Sequence, residues 1–220
     1  MQRGNVRLVA VLAAVAVAVA GLLVVLSQLS GGGGSQEMFA EIPQDGTTLG
    51  RQDAPVTIQL YEDFQCPACA QFARETLPEL VEGEVRDGEV RLVSETLAFL
   101  GPDSVKTARA ALAAGAQDRY WQYGYLLFEN QGAENSSYAT DGFLTDLAEE
   151  TEGLDVEKWR AAQDDAFVEE ELAVVQQRAE EDGVNATPTI VIRGPGGEET
   201  LRGAVPIEEV ERAIGEVEGR

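Results

Sequence analysis

VTIQLYEDFQCPACAQF, residues 56–72, contains both cysteines of the 220-residue chain. Val56–Asp63 is rich in β-branched and apolar residues, which predicts a buried strand. Apolar residues then recur with helical spacing, which predicts a helix that opens at Cys66 and runs towards Gly83. Glu89–Leu97 predicts a second strand. This β-α-β order is typical of an α/β domain with parallel strands.

The rest of the chain divides into a helical part and a final β-β-α part. From Asp103 to Asp182 the sequence has helical periodicity but no strand pattern. The candidate helix ends are the N-caps Asp103 or Ser104, Thr140 or Asp141, and Asp155, and the C′ glycine Gly183. Strands return at Thr187–Gly194, and after a GPGG turn residues 198–204 supply the returning strand of a hairpin. Pro206 suits the first turn of a closing helix. The predicted order is therefore β-α-β, an all-helical insertion, then β-β-α.

The two cysteines, Cys66 and Cys69, allow three interpretations. As a structural disulfide they would close a loop worth only about 2 kcal/mol, against about 4.7 kcal/mol for a loop of a hundred residues. A closed zinc or iron–sulfur site needs about four cysteine or histidine ligands. The chain has two cysteines and no histidine, so a metal site would require a dimer. A redox-active pair is the interpretation that the local pattern favours.

The position of the pair between a strand and a helix supports redox chemistry. At a helix start, unpaired amide groups and the helix dipole stabilise negative charge, which lowers the pKa of a thiol such as Cys66. Cys69 lies one turn further on, where it can resolve a mixed disulfide. Pro67 lacks an N–H group, which costs little in the first helical turn. Cys66 is thus the expected nucleophile and Cys69 the expected buried partner.

Composition excludes several other functions. The chain carries 39 acidic and 16 basic residues, a formal net charge of −23, and such a surface repels the phosphates of nucleic acids. The absence of histidine excludes Ser-His and Cys-His nucleophile pairs and histidine metal ligands. Any catalysis must therefore use cysteines, carboxylates or backbone groups, and the sequence predicts no metal and no cofactor.

The N-terminal region predicts export. Leu8–Leu26 is apolar apart from Gly21 and nearly long enough to span a hydrocarbon core of about 30 Å. Arg3 and Arg7 precede it, which places the N-terminus in the cytoplasm and the rest of the chain outside. The segment is interpreted as a transmembrane signal anchor, with a signal peptide cut after residue 20 as the alternative. SGGGGS, residues 30–35, then predicts a flexible tether.

Several segments together resemble a known family. DAPVTIQLYEDFQCPAC, GLDVEKWRAAQ, GVNATPTIVIRG and LRGAVPIEEVERAI are similar to the DsbA-type thiol–disulfide oxidoreductases, over roughly residues 50–218. The resemblance implies a thioredoxin-like α/β fold with an inserted all-helical domain, here preceded by a transmembrane helix. The expected segments are 1–29 (cytoplasmic tip and anchor), 30–50 (flexible linker and lead-in), 51–102 and 184–220 (thioredoxin-like domain), and 103–183 (helical insertion).

The resemblance also implies roles for individual residues. Cys66 would attack and Cys69 would resolve, while Pro67 and Ala68 complete the motif between them. Pro188 would be a cis-proline beside the disulfide, and Thr187 would offer backbone hydrogen bonds to an extended substrate.

The chain departs from the family pattern at two positions. Leu60 stands where many members carry an acid that relays protons to the buried thiol, so Glu62 or Asp63 is the candidate replacement. Strand alternation should send those two acids to opposite faces, and ordinary charges at a strand end are the competing interpretation. Ala68 stands where strongly oxidising members carry histidine, which implies a milder oxidant.

The expected function is an extracytoplasmic, membrane-anchored oxidoreductase that introduces disulfide bonds into unfolded exported proteins. Its reduced pair would be reoxidised by a quinone-linked membrane thiol oxidase, a partner that the resemblance implies. A reductase or isomerase, and a redox-inert binding or chaperone module on the same fold, remain as alternatives.

Overall fold

The computed structural model describes residues 34–219. The helices are α1 (Gly34–Glu37), α2 (Pro67–Glu75), α3 (Leu77–Leu80), α4 (Pro102–Gly115), α5 (Tyr120–Glu129), α6 (Asp141–Glu150), α7 (Val156–Ala162), α8 (Ala166–Glu181) and α9 (Ile207–Glu218), with a π-helical turn at Val81–Val85. The strands are β1 (Gln44–Asp45), β2 (Thr48–Leu49), β3 (Val56–Glu62), β4 (Val90–Thr96), β5 (Thr189–Gly194) and β6 (Gly197–Arg202). α1 belongs to one compact unit that ends at Glu37, and the other elements form a second unit that begins at Met38.

A single six-stranded sheet has the order β1-β2-β4-β3-β5-β6. β3 and β4 are parallel, with Val56 opposite Val90 and Glu62 opposite Thr96. β5 runs antiparallel to β3, and β6 returns antiparallel to β5. The five helices α4–α8 are inserted between β4 and β5. The predicted order of β-α-β, helical insertion and β-β-α is therefore confirmed.

Strand β3 is buried on both faces because helices cover both sides of it. Ile58 and Leu60 belong to the main hydrophobic core, whereas Tyr61 packs in a second cluster with Val175 and Ala179 of α8. Because side chains alternate along a strand, Glu62 shares the face of Leu60. Glu62, the acidic residue at the end of β3, therefore points into the main core, and its side chain is 4% exposed.

Local capping signals define several ends of the inserted helices. The Thr140 side chain accepts a hydrogen bond from the Phe143 N–H at 3.2 Å, and Asp155 accepts one from the Lys158 N–H at 3.1 Å. Both caps are as predicted from sequence. The N-cap of α4 differs: it is Gly101, followed by Pro102 in the first turn, instead of Asp103 or Ser104. Pro102 starts the helix earlier because its missing N–H needs no partner there.

The lead-in before β3 is more ordered than the sequence predicts. Residues 38–50 of the predicted lead-in are packed against the domain, because Phe39 and Leu49 are fully buried in the core. β1 and β2 form a hairpin whose second strand pairs with β4. Gly46, at φ 58°, occupies the turn.

The single helix predicted from Cys66 towards Gly83 is interrupted. α2 ends at Glu75, Thr76 separates it from α3, and the π-helical turn follows. Pro78 explains the interruption, because it has no N–H to donate to the preceding turn and its ring clashes with that turn.

The predicted anchor, and most of the SGGGGS tether, lie outside the described residues. Within residues 34–219, no helix is long and apolar enough to cross a membrane.

Candidate active site

The two cysteines lie at the start of α2, and both are free thiols, so the structure represents the dithiol state. Cys66 is the N-cap of the helix, with φ −74° and ψ 118°. Its N–H donates to the Asp63 carbonyl at 2.9 Å, which closes the turn between β3 and α2. Its thiol donates to the Thr187 carbonyl oxygen at 3.3 Å. Cys66 is thus held between the helix start and the segment before β5.

The surroundings of Cys66 stabilise its thiolate. A hydrogen bond from the Cys69 thiol is the main cause that lowers the pKa of Cys66 to about 6 from its ordinary value of 9.0. Burial opposes this, while the Thr187 side chain and the amides of Cys69 and Ala68 lower the pKa further. At neutral pH Cys66 is therefore mostly thiolate, the form that acts as a nucleophile and as a good leaving group.

Cys69 has the opposite character. Its side chain is 1% exposed, and burial raises its pKa well above 9.0. Its hydrogen bond to Cys66 and the negative charges of Cys66 and Glu62 raise the pKa further. Cys69 therefore keeps its proton while Cys66 is ionised, and it can react only after that proton has a destination.

Glu62 is buried in the core, close enough to both cysteines for their charges to interact. Its Oε1 accepts a hydrogen bond from the Ser94 hydroxyl at 2.8 Å. Burial raises the pKa of Glu62 to about 8, the Ser94 bond opposes this, and the nearby charges of Cys66 and Asp63 raise it further. The Ser94 and Thr96 hydroxyls in turn contact the Tyr120 hydroxyl of α5. Glu62 is thus a buried carboxyl group that changes protonation near neutral pH.

Asp63 is also fully buried, but its carboxylate is occupied by hydrogen bonds. One oxygen accepts from the Gln65 N–H at 2.8 Å and the Ser104 hydroxyl at 2.7 Å. The other accepts from the N–H groups of Phe99 and Leu100 at 3.1 and 3.2 Å. Asp63 therefore fixes the loop before Cys66 to the segment that leads into α4. Glu62 and Asp63 are both buried, which ordinary charges at a strand end would not be.

Residues that the sequence did not single out complete this attachment. Gln65 is fully buried and donates to Ser104 at 2.9 Å, and its carbonyl oxygen accepts from the Asn135 N–H at 2.7 Å. Gln131 donates to the backbone oxygens of Phe64 and Cys66 at 2.8 and 3.1 Å. The sequence gives little signal for these contacts, because Ser104, Asn135 and Gln131 are distant from residues 64–66 in the chain.

Phe64 anchors the same loop by apolar packing. Its ring lies 4.8 Å, centroid to centroid, from that of Phe128, and 6.3 Å from that of Tyr120. Gly124 permits this approach, since a Cβ there would lie 3.3 Å from the Phe64 ring. Aromatic residues of α5 therefore pack against Phe64, in the loop 63–66 that ends at Cys66.

The remaining predicted residues surround Cys66. The Thr187–Pro188 peptide bond is cis, as the resemblance implied, and Pro188 is buried. The Pro188 carbonyl accepts from the Gly203 N–H at 2.8 Å, which ties this segment to the end of β6. Pro67 is exposed and Ala68 half-buried on the first turn of α2. Among residues 34–219, no cluster of three or more histidine, cysteine or acidic side chains is arranged to hold a metal ion.

Comparison with known sequences places this site in a family. Residues 43–216 match the thioredoxin family. The probable disulfide bond formation protein D of Bacillus cereus is 30% identical over 161 residues, which cover 72% of this chain and 74% of that protein. Disulfide bond formation protein D of Bacillus subtilis is 25% identical over 168 residues, covering 76% and 74%.

Solved structures share the architecture. Oxidised BdbD from Bacillus subtilis superposes with a TM-score of 0.68 at 24% identity, covering 79% of this chain and 95% of BdbD. DsbA of Chlamydia trachomatis gives a TM-score of 0.68 at 24% identity, covering 79% and 91%. These likenesses confirm the thioredoxin-like fold with an inserted helical region. The chain therefore belongs to the thioredoxin family and is a DsbA-like thiol–disulfide oxidoreductase.

Proposed function

We propose that this protein introduces disulfide bonds into unfolded exported proteins on the outer side of a cytoplasmic membrane. The observation that carries the proposal is the stabilised Cys66 thiolate, whose pKa is lowered to about 6 beside a protonated, buried Cys69. Stabilising the thiolate favours the reduced form of the pair, so the disulfide becomes a stronger oxidant. The Bacillus relatives named as disulfide bond formation proteins support the same direction.

The proposed reaction transfers one disulfide. A substrate thiolate attacks the Cys66 sulfur of the Cys66–Cys69 disulfide, and the Cys69 thiolate leaves and takes up a proton. A second substrate thiol then attacks the mixed disulfide, loses its proton and releases Cys66 as a thiolate. The substrate loses two electrons and gains a disulfide, while the protein gains two electrons as the dithiol. Thr187 and Pro188 flank the mixed disulfide and would hold the extended substrate chain.

Glu62 is the proposed proton relay for Cys69, in place of the acid missing at Leu60. Its pKa of about 8 lets it give or accept a proton near neutral pH, and its charge already acts on Cys69. Asp63 is assigned a positioning role instead, because four donors occupy its carboxylate.

The proposed cellular context follows from residues 8–26 and from the reaction. An apolar N-terminal anchor would hold the redox domain outside the membrane, where thiols tend to be oxidised. Regeneration must remove two electrons and two protons from each dithiol. A quinone-linked thiol oxidase in the same membrane is the proposed acceptor.

The proposal is tested by mixing the oxidised protein with a reduced, unfolded substrate that contains two cysteines, and counting the substrate thiols that remain. We expect two thiols lost per protein disulfide and no loss with Cys66→Ala. Cys69→Ala, mixed with the same substrate in its disulfide form, should give a trapped mixed disulfide, because the Cys66 thiolate attacks the substrate disulfide and releases one substrate thiol. The reduction potential should lie above thioredoxin's, about −270 mV, and below about −120 mV because Ala68 replaces the histidine of strong oxidants.

A potential near −270 mV would point to a reductase and contradict the proposal. Equal thiol loss with wild type and Cys66→Ala would favour a redox-inert binding module.

A further inference from the structure

Three buried hydroxyl groups form a chain of hydrogen bonds that ends on Glu62. The Ser94 hydroxyl donates to Glu62 Oε1 at 2.8 Å, and the Ser94 oxygen lies 2.5 Å from the hydroxyl oxygen of Tyr120. The Thr96 hydroxyl is hydrogen-bonded to the same Tyr120 oxygen. Each of the three residues is 1% exposed, so bulk water does not compete for these groups. We call Thr96, Tyr120 and Ser94 the hydroxyl chain.

The number of protons in the hydroxyl chain shows which form of Glu62 it fits. Each hydroxyl group has one proton to donate. The hydrogen bonds to be filled are three: Thr96 to Tyr120, Tyr120 to Ser94, and Ser94 to Glu62. Three protons fill three bonds when every hydroxyl donates towards an ionised Glu62, whereas a carboxyl proton on Oε1 would add a fourth. The hydroxyl chain therefore matches the carboxylate form of Glu62.

Tyr120 occupies the middle of the hydroxyl chain and keeps its proton. Burial raises the pKa of Tyr120 well above 10.0, and the charge of Glu62 raises it further. The hydrogen bonds to Ser94 and Thr96 oppose this, and the charge of Glu95 adds to it. When Tyr120 donates to Ser94, it polarises the Ser94 hydroxyl, and successive hydrogen bonds strengthen one another in this way. A stronger bond from Ser94 stabilises the Glu62 carboxylate.

The other influences on Glu62 make the hydroxyl chain important. Burial raises the pKa of Glu62 to about 8, and the Ser94 hydrogen bond acts against it. The charges of Cys66 in α2 and of Asp63 in the adjoining loop raise the pKa further. The charge of Glu62 in turn acts on Cys69. The hydroxyl chain thus supplies the interaction that favours an ionised Glu62 in surroundings that disfavour it.

We propose that Tyr120 is a positioning residue for the reaction of the cysteine pair. It holds the Ser94 hydroxyl in the direction that donates to Glu62, and it thereby sets the pH at which Glu62 exchanges a proton. This inference rests on the proposed role of Glu62 as the proton relay. In resolution of a mixed disulfide, Cys69 loses its proton to the Glu62 carboxylate. The Cys69 thiolate then attacks the Cys66 sulfur, and the substrate sulfur leaves as a thiolate.

Tyr120→Phe tests the inference, because it removes one hydroxyl group and keeps the ring. Glu62 is titrated in the oxidised protein, where neither cysteine holds a proton, and is followed by carbon-13 NMR of its carboxyl group. We expect the midpoint to rise by about 0.5–1 pH unit, the effect of losing one hydrogen bond of ordinary strength. The carboxylate fraction at pH 7 then falls about three- to tenfold, and resolution of a mixed disulfide by Cys69 should slow by the same factor.

Tyr123→Phe is the matched control. Tyr123 lies on the same helix, is fully buried, and donates its hydroxyl to the Leu144 carbonyl at 3.0 Å. This substitution makes the same chemical change in a hydroxyl that is bonded elsewhere, so the Glu62 titration and the rate of resolution should stay at their wild-type values. A second variant, Ser94→Ala, removes the last bond of the hydroxyl chain and should also raise the midpoint. In that background Tyr120→Phe should add no further shift.

The inference is overturned if Tyr120→Phe leaves the Glu62 titration unchanged or if Tyr123→Phe shifts it equally. It is also overturned if Tyr120→Phe shifts the titration as far without Ser94 as with it, because Tyr120 would then act by another route. A shifted titration with an unchanged rate of resolution would remove Tyr120 from the reaction. The titration needs no substrate, so failure of the wild type to oxidise substrate thiols would contradict the proposed function separately.

Discussion

Glu62 lies on the strand face that the resemblance gives to an acid at position 60, but one side-chain repeat closer to the cysteines. Leu60 is opposite Ser94 in the parallel pair, and the Ser94 hydroxyl bonds to Glu62. The acid has thus moved along one face of β3 while the opposite face, with Tyr61, packs against α8. Glu62 therefore supplies a buried carboxyl group whose charge acts on Cys69, although it stands two residues after the position where the resemblance expects an acid.

Replacing Glu62 by glutamine should change the pH dependence of stability. Because burial raises its pKa from 4.5 to about 8, the folded protein retains between these values a proton that the unfolded chain releases. Stability from this group therefore falls as pH rises from 4.5 to 8. Glu62→Gln should have little effect near pH 4 and stabilise the protein above pH 8, by about 5 kcal/mol as an upper bound. Urea unfolding at both pH values measures this.

The relay role of Glu62 needs a kinetic measurement as well. Resolution of a mixed disulfide by Cys69 should be slower in Glu62→Gln at pH 7, and its pH profile should lose the step near pH 8. Glu75→Gln makes the same chemical change at an exposed position of α2, and it should leave both the rate and the profile unchanged. A Glu62→Gln variant with the wild-type profile would remove Glu62 from the proton path.

At the scale of elements, the loop 63–66 that ends at Cys66 is hydrogen-bonded to the helical insertion as well as to the sheet. Asp63 and Gln65 bond to Ser104 in the first turn of α4, and Gln131 holds two carbonyls from the other side. Gly101 allows the segment before α4 to approach the Asn135 side chain closely. It has φ 140°, and a Cβ at this position would clash with the Asn135 side chain. The insertion therefore helps to position Cys66.

Breaking this attachment should be costly. Asp63→Asn places an NH₂ group against donors, which leaves at least one buried polar group unsatisfied at a cost of about 1–3 kcal/mol. Ser104→Ala should cost less, and a double-mutant cycle in urea unfolding should give a coupling energy of about 0.5–3 kcal/mol between the two. Asp53→Asn, a fully exposed aspartate paired with Arg51, is the control and should leave stability unchanged. Additive effects of Asp63→Asn and Ser104→Ala would contradict a shared attachment.

Helix ends could be predicted from the sequence where the residues that set them are close neighbours in the chain. The caps at Thr140 and Asp155 bond to N–H groups three residues away, and Gly183 follows α8 at φ 64°, so each signal lies within one turn. The bonds of Gln65 and Gln131 join residues far apart in the chain. Such partners depend on the packed arrangement of the whole domain, and a single sequence carries no periodic signal for them.

Across the whole molecule, redox state and stability are linked through Cys66. The pKa of Cys66 is about 6 in the folded protein and 9.0 in the unfolded chain, so ionisation of this thiol stabilises the folded dithiol form. The stabilisation is fully present above pH 9 and is lost as the pH falls through 6. The oxidised form has no such group. The unfolding free energy of the reduced protein, relative to the oxidised one, should therefore rise by about 1–2 kcal/mol between pH 5 and pH 8, after allowing for solvent screening.

Urea unfolding of the two redox forms at both pH values measures this difference. Subtracting the forms removes most of the contribution of Glu62, which is present in each. A difference that stays constant with pH would mean that the folded protein does not stabilise the Cys66 thiolate.

The molecule also contains a part that the sequence did not predict. Two-residue strands such as β1 and β2 are too short to show alternation, so the sequence predicted only an extended lead-in there. Their structure depends on the burial of Leu49 and Phe39 in the core and on the pairing of β2 with β4. The longer strands β3, β4 and β5 were predicted because each carries enough β-branched and apolar residues to be recognised alone.

The absence of histidine has a practical consequence for following catalysis. Histidine is the side chain that usually exchanges protons between pH 5 and 8, and this chain has none, while the pKa values of Cys66 and Glu62 lie at about 6 and 8. Isothermal calorimetry in buffers of different ionisation enthalpy would therefore count protons that come chiefly from the redox centre. The dependence of the heat on the buffer then gives the net number of protons that each turnover exchanges with solvent, and its change between pH 6 and pH 8 follows the two groups.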